Sequence, residues 1–277
     1  MAETQYAVVL AAFGTMREQE ENYVERIKEG LQRRHPDTDV FDAFTSRLAA
    51  MDRRKKGRTA IILPQVLAEL STLGYTHVVV QSLHVVPGME FDMLCDITRR
   101  FSGIPKGIQH TRTGLPLIHD DSSADRLAAA LAVEFSGERH PGEAVVFVGH
   151  GAKTLSGTLA YPALQACLWR RDPALFVGTL EGSLCAETIL AMLHERGMRK
   201  VWLVPLLACC GTHVHRDIFG AENSWRTVFE AGGIQCVPVE KALLARPAVT
   251  AMWLENALAC LEDLKSAGCI QNFSYVR

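Results

Sequence analysis

Two segments of the chain align without a gap, and each has the pattern of a buried strand followed by a glycine-containing loop. Residues 78–90 read VVVQSLHVVPGME, and residues 201–213 read VWLVPLLACCGTH. A continuous apolar run of this kind is typical of a strand that is covered on both faces of a parallel sheet. In both segments the run leads to glycine, one further residue and a polar side chain, so Glu90 aligns with His213.

A second pair of segments has the same relation. Residues 11–14 (AAFG) end the first strand of the chain, and residues 148–151 (VGHG) end a later one. We therefore predict an internal repeat in which residues 1–122 and 143–240 superpose, with Phe13 over His150. The identity between the halves is low, so a chance match stays open at this point.

Around these segments, apolar runs alternate with amphipathic segments along the whole chain. This alternation predicts a parallel α/β sheet with helices on both faces, in an N-terminal lobe 1–122 and a C-terminal lobe 123–277. The expected strands are 6–13, 77–83, 144–149, 175–180, 200–207 and 234–239. The expected helices are 17–34, 59–73 (interrupted by Pro64), 88–101, 122–136, 158–170, 183–196, 213–231 and 247–265.

Composition and charge exclude several classes of protein. The chain has 277 residues, of which 48% are hydrophobic and 22% charged, as in an ordinary globular protein. There is no apolar run long enough to form a transmembrane helix. The net charge of −2 argues against a nucleic-acid partner held by a basic face. The N-terminus has no targeting pattern, so we expect a cytoplasmic protein whose eight cysteines are reduced.

The polar residues most suited to chemistry follow the predicted strands. His150, Glu181 and His213 each come just after an apolar run, and Glu90 does so in the first half. Ligands of such sheets bind beyond the carboxyl ends of the strands, so these side chains are expected to meet in one cleft. Imidazole and carboxylate together suit a divalent ion such as Zn²⁺, Fe²⁺, Co²⁺ or Ni²⁺.

Other histidines are weaker candidates. His215 lies two residues beyond His213, and on a helix the two would face different directions, so we favour His213. His84 lies at a strand end beside Glu90, where a structural role and a role in the site are equally open.

Several common enzyme motifs are absent. The chain contains no G-x-G-x-x-G, no P-loop and no G-x-S-x-G, which disfavours dinucleotide enzymes, P-loop enzymes and α/β-hydrolases. His150 follows Gly149, whereas the histidine phosphatases have arginine at that position.

In the order and spacing of its motifs, the chain resembles the anaerobic sirohydrochlorin cobaltochelatases, class II chelatases related in fold to ferrochelatase. The matching segments span roughly residues 5–265 and are AFGT (12–15), QSLH (81–84) with Gly88 and Glu90, FVGHG (147–151), VGTLEG (177–182), and VPLL (204–207) leading into GTH (211–213). The resemblance implies two flavodoxin-like lobes with a tetrapyrrole cleft between them. It also implies insertion of a metal into sirohydrochlorin in cobalamin or sirohaem synthesis.

The resemblance implies that His150, Glu181 and His213 are the metal ligands. Neutral imidazole binds such metals and accepts protons near pH 7, so His150 and His213 are expected to serve both purposes, with Glu90 assisting proton removal. Sirohydrochlorin carries eight carboxylates. The candidates for contact with the substrate are Phe13, His84, Arg17, Lys153 and Arg216.

Cobalt is the expected substrate metal, although this ligand set also accepts Fe²⁺ and Ni²⁺, and no organic cofactor is expected. The sequence is compatible with a homo-oligomer.

The chief alternative to a chelatase is a bilobed metal or tetrapyrrole carrier without catalytic activity. A phosphatase or mutase that uses His150 is a second alternative, disfavoured by Gly149.

Overall fold

The computed structural model describes residues 4–14, 18–137, 139–211 and 214–269, without the side chains of 18–20 and 267–269. The first half contains β1 (Tyr6–Ala12), α1 (Glu18–Arg34), β2 (Thr38–Phe44), α2 (Arg47–Lys55), α3 (Leu63–Leu73), β3 (His77–Ser82), α4 (Met89–Arg100) and β4 (His110–Gly114). After α5 (Asp121–Glu134), the second half contains β5 (Glu143–Gly149), α6 (Leu155–Trp169), β6 (Leu175–Thr179), α7 (Ala186–Glu195), β7 (Lys200–Pro205), α8 (Trp225–Ala231) and β8 (Gln235–Pro238). Helix α9 (Pro247–Cys269) comes last.

The strands form two parallel four-stranded sheets with the same order. The first sheet is β2-β1-β3-β4 and the second is β6-β5-β7-β8. Each order is the beginning of the flavodoxin-like order, in which the second strand lies outside the first. Both faces of the first sheet are covered, because Val8 packs in one core with residues of α1 and α9, and Val9 packs in another with residues of α3 and α4. The predicted α/β class with two parallel-sheet lobes is confirmed.

The two sheets also share their register, as the internal repeat requires. Tyr6 of β1 pairs with His77 of β3, and the aligned residue of β5, Glu143, pairs with Lys200 of β7. The loops that follow β1 and β5 are also alike in backbone conformation. Gly14 and Gly151, at aligned positions, both have positive φ, of 117° and 93°. A chance match of two short segments would not reproduce strand order, register and loop conformation together.

The helix that follows each sheet in the chain packs on the other half of the protein. Helix α9, which follows the second sheet in the chain, packs on α1, β3 and β4 of the first half. Helix α5, which follows the first sheet, packs on α6 of the second. One continuous core therefore contains Val8, Phe147 and Trp253. The proposed lobe boundary at residues 122 and 123 stays a prediction.

Three elements are absent from the sequence-based prediction. Strands β2 and β4 lie at the edges of the first sheet, where polar side chains are tolerated, and their sequences, TDVFDAF and HTRTG, lack a continuous apolar run. Helix α2, RLAAMDRRK, is a short and strongly basic segment. The expected helix 59–73 begins only at Leu63, because Pro64 favours the first turn of a helix and does not interrupt this one.

The expected helix 213–231 is wrong in part. A single π-helical turn spans Val214–Ile218, and α8 begins after it. Asn223 has a φ of 49°, which breaks the helix, and Ser224 then caps α8 in a capping box with Thr227. Within the ranges that the structure describes, no helix is long and apolar enough to cross a membrane.

Glu143, at the start of β5, should make the stability of the protein depend on pH. Trp202 Nε1 and Lys200 Nζ each donate a hydrogen bond of 2.9 Å to its carboxylate, which lowers the pKa of Glu143 to about 2. A carboxyl with a lowered pKa stabilises the fold above its ordinary pKa of 4.5, and this contribution is lost as the pH falls toward 2. Glu143→Gln should therefore lower the free energy of unfolding at pH 7, and by less at pH 3.

Urea denaturation at several pH values measures this difference. Glu195→Gln, a substitution of an exposed glutamate at the end of α7, is the control and should have no such effect. A Glu143→Gln effect that is the same at pH 7 and pH 3 would contradict the prediction.

Candidate functional site

A cavity of about 370 Å³ lies where the carboxyl ends of strands from both halves meet. Most of its wall consists of residues in the loops that follow β1, β3, β5, β6 and β7. Six of the residues predicted from the sequence line it: Phe13, His84, Glu90, His150, Lys153 and Glu181. This is the edge at which parallel sheets bind ligands.

A larger cavity, of about 620 Å³, lies elsewhere, beside the edge strand β2. Its wall contains Glu21, which forms an ion pair of 2.7 Å with Arg58. Because none of the residues predicted for the site lines it, we take the cavity at the strand ends as the candidate site.

His150 and Glu181 are held side by side by backbone contacts between their loops. The backbone N–H of Glu181 donates to the carbonyl oxygen of His150 at 3.1 Å, and that of Leu180 donates to Gly149 at 2.9 Å. Both His150 and Glu181 are exposed to the cavity. Lys153 Nζ lies 3.9 Å from Glu181 Oε2, so a cation and a carboxylate share this part of the wall.

Gly151 permits this close approach of the two loops. Its φ of 93° belongs to the left-handed region that favours glycine, and a Cβ at this position would lie 2.3 Å from the carbonyl oxygen of Glu181. The backbone N–H of Gly151 donates to the hydroxyl of Tyr161 at 3.1 Å. Burial raises the pKa of Tyr161 to about 12, so this hydroxyl stays neutral.

Sequence reasoning missed Tyr161, which lies within the apolar helix α6 and also lines the cavity. A signal for it is present in the sequence, because glycines at 149 and 151 indicate close approach of another group. A Cβ at Gly149 would lie only 2.5 Å from the ring of Tyr161.

Glu90 and His84 are contributed by the first half. Glu90 is half-buried in the first turn of α4, where the helix N-terminus favours a negative charge. His84 follows β3, and its Nδ1 lies 2.8 Å from Ser82 Oγ. Burial lowers the pKa of His84 to about 4, so its imidazole is neutral near pH 7.

The remaining predicted residues do not join this group. His213 and Arg17 lie outside the described residues. Arg216 is not part of the cavity wall described and forms an ion pair with Asp217 at 2.5 Å. His215 is half-exposed, with Nδ1 4.0 Å from Glu240 Oε2.

Among the residues that the structure describes, no group of three or more His, Cys, Asp or Glu side chains is placed to hold a metal ion. The predicted ligand set His150, Glu181 and His213 includes one residue beyond those described, so it stays a prediction.

Comparison with known sequences gives matches over nearly the whole chain. A family model described as cobalt chelatase (CbiK) matches residues 6–262. The sirohydrochlorin cobaltochelatase CbiKC of Nitratidesulfovibrio vulgaris is 36% identical over 270 residues, which cover 94% of this chain and 92% of that protein. The sirohydrochlorin cobaltochelatase of Salmonella typhimurium is 30% identical over 254 residues, covering 90% of this chain and 94% of that one.

Solved structures with the same fold have much lower sequence identity. SirB from Bacillus subtilis with Fe³⁺ has a TM-score of 0.62 at 12% identity, covering 98% of this chain and all of that one. The sirohydrochlorin chelatase SirB from Bacillus subtilis subspecies spizizenii, in complex with cobalt, has a TM-score of 0.63 at 14% identity and covers 95% of this chain and 98% of its own. At these identities the likeness establishes the fold alone.

Proposed function

Because this chain belongs to the cobalt chelatase (CbiK) family, we propose that it inserts Co²⁺ into sirohydrochlorin. The observation that carries the proposal is the meeting of His150, Glu181 and Glu90 in one cavity at the strand ends of a chain from this family. The relatives that are 36% and 30% identical are both sirohydrochlorin cobaltochelatases.

The reaction replaces two pyrrole N–H protons of the ring with one Co²⁺ ion. Two bonds from ring nitrogen to hydrogen break, cobalt gains the ring nitrogens as ligands, and two protons leave. A site for this reaction needs groups that hold a hydrated divalent ion and groups that accept protons near neutral pH. Imidazole serves both purposes, and carboxylate offsets the charge of the ion.

We assign the metal to His150, Glu181 and His213. The hydrogen bond between the backbones of His150 and Glu181 supports the first two, because it fixes the two loops against each other before the metal arrives. His213 is assigned from its alignment with Glu90 and from the family motif. In this assignment His150 and His213 also accept protons.

We assign to Glu90 a role that assists proton removal by the two histidines. It lines the same cavity from the other half of the protein, so a ring bound between the halves would have His150 on one side and Glu90 on the other. In this arrangement Glu90 would help to remove protons from the side of the ring away from the entering metal.

The rest of the wall suits the macrocycle and its acidic side chains. It is largely apolar, with Phe13 and Met89 both exposed at the ends of their loops, as the flat face of a conjugated ring requires. Lys153 is the cation that we assign to a substrate carboxylate. Arg17 and Arg216 stay predictions for the same role. Cytoplasmic location and a homo-oligomeric state also stay predictions.

Incubation of the purified protein with sirohydrochlorin and Co²⁺, followed by absorbance, tests the function. We expect many equivalents of cobalt product per chain, with a rate above that of the spontaneous reaction. A carrier would bind the ring or the metal and give no more than one equivalent, which would refute the proposal. The same assay with Fe²⁺ and Ni²⁺ establishes which other metals are accepted.

The two neighbouring histidines should respond differently to substitution. His213→Ala should reduce cobalt insertion by about a hundredfold or more, because the metal loses a ligand and the ring loses a proton acceptor. His215→Ala should leave most of the activity, since His215 is half-exposed and faces Glu240. Initial rates at saturating cobalt decide between the two, and an inactive His215→Ala with an active His213→Ala would show that the ligand is His215.

A further inference from the structure

His84 has a ring nitrogen for which the described structure provides no partner. Its Nε2 is buried and makes no hydrogen bond, although the residue is part of the cavity wall. A buried N–H without an acceptor is costly to the folded protein. Such a group is retained most readily where a ligand supplies the missing partner.

Ser82 determines which of the two nitrogens of His84 carries the hydrogen. Ser82 is fully buried, and its Oγ accepts the backbone N–H of His84 at 3.1 Å. The buried hydroxyl also has one hydrogen that needs an acceptor, and the acceptor that the described residues offer is His84 Nδ1 at 2.8 Å. Nδ1 is therefore the acceptor nitrogen, and Nε2 carries the hydrogen on the edge of the ring that faces away from Ser82.

Two hydrogen bonds hold the backbone of His84 in place. The backbone oxygen of His84 accepts hydrogen bonds from the backbone of Leu117 at 3.0 Å and from Trp253 Nε1 at 3.4 Å. The aligned residue in the second half is Leu207, which also lines the cavity, so the polar group is present on one side only. An apolar residue at this position is thus compatible with the fold of the loop.

We propose that His84 Nε2–H donates a hydrogen bond to one carboxylate of the tetrapyrrole substrate, with Ser82 as the residue that positions it. The inference rests on the proposed function. It is favoured by the charges of the wall, because Lys153 is the one cationic side chain among the lining residues described, whereas the substrate carries eight carboxylates. Neutral N–H donors are needed to bind the carboxylates that cations do not reach.

Binding of metal-free sirohydrochlorin, measured by absorbance titration, tests the proposal. His84→Leu removes the donor, and we expect its dissociation constant to rise roughly ten- to a hundredfold, the usual effect of losing a hydrogen bond to a charged group. His84→Gln places an amide N–H near the position of Nε2 and should restore most of the affinity. KM for sirohydrochlorin should follow the dissociation constant, while kcat stays within about twofold, because the group binds the periphery of the ring and not its centre.

Controls separate this role from a structural one. His119→Leu changes a half-buried histidine that hydrogen-bonds Pro116 outside the cavity wall described, and should bind sirohydrochlorin as the unmodified protein does. If His84→Leu does not fold, Ser82→Ala is the deciding variant. It frees Nδ1 and should weaken binding several-fold without changing kcat.

Two results would overturn the proposal. The first is an unchanged affinity in His84→Leu or, where that variant does not fold, in Ser82→Ala. The second is a His84→Gln variant that binds sirohydrochlorin as weakly as His84→Leu does. Failure of the proposed function gives a different result, because the unmodified protein would then form no more than one equivalent of cobalt product.

Discussion

Replacing His150 by alanine should reduce cobalt insertion at least about a hundredfold, because the metal loses a ligand and the ring loses a proton acceptor. The fold should be unaffected, since His150 is exposed at the end of its strand. Its aligned residue, Phe13, is not a metal ligand, so the loop does not require histidine for its conformation. The rate is measured from the absorbance of the cobalt product at saturating cobalt and sirohydrochlorin.

His140→Ala is a matched control for this experiment. His140 is exposed just before β5, and His150 follows the other end of the same strand. The control should insert cobalt at the rate of the unmodified protein. A His150→Ala variant with comparable activity would show that the metal is held by other residues.

Gly151→Ala should have the largest effect on stability. Alanine at a φ of 93° is strained, and its Cβ would meet the backbone oxygen of Glu181 at 2.3 Å, which cannot move away as the end of a side chain can. We expect the free energy of unfolding to fall by about 2–4 kcal/mol, with a lower Tm. Because the loop of Glu181 must shift, cobalt insertion should fall as well.

Gly103→Ala isolates the strain from the steric clash. Gly103 also has a positive φ, of 77°, but a Cβ there would meet nothing within 4 Å. Its substitution should cost only about 1–2 kcal/mol and leave activity intact. Equal losses in the two variants, measured by chemical denaturation, would mean that the contact with Glu181 does not matter.

In the first sheet the sequence predicts the two central strands and misses both edge strands, whereas in the second sheet it predicts all four. Strands β1, β3, β5 and β7 are covered on both faces, so each is a continuous apolar run that can be recognised without knowing its neighbours. Edge strand β2 has Asp39 and Asp42 within it, and such a pattern resembles a loop until the sheet beside it is known.

For the candidate site, the position of a residue after a strand was the useful signal. It placed His150, Glu181 and Glu90 in one group, because parallel strands bring their carboxyl ends to one edge. Tyr161 was not predictable in this way, since it reaches the loop from the middle of a helix. The register between the halves could only be confirmed in three dimensions.

The crossing of α9 onto the first half has a consequence for synthesis on the ribosome. The first sheet has all its strands once β4 has been made, but one of its faces is covered by Trp253 and Leu261, which are translated about 150 residues later. At ordinary rates of translation that interval is on the order of 10 s. During this time Val8 and Leu10 are not yet packed against α9. The nascent N-terminal half should therefore be a substrate for chaperones that bind apolar strands, until the last helix leaves the exit tunnel.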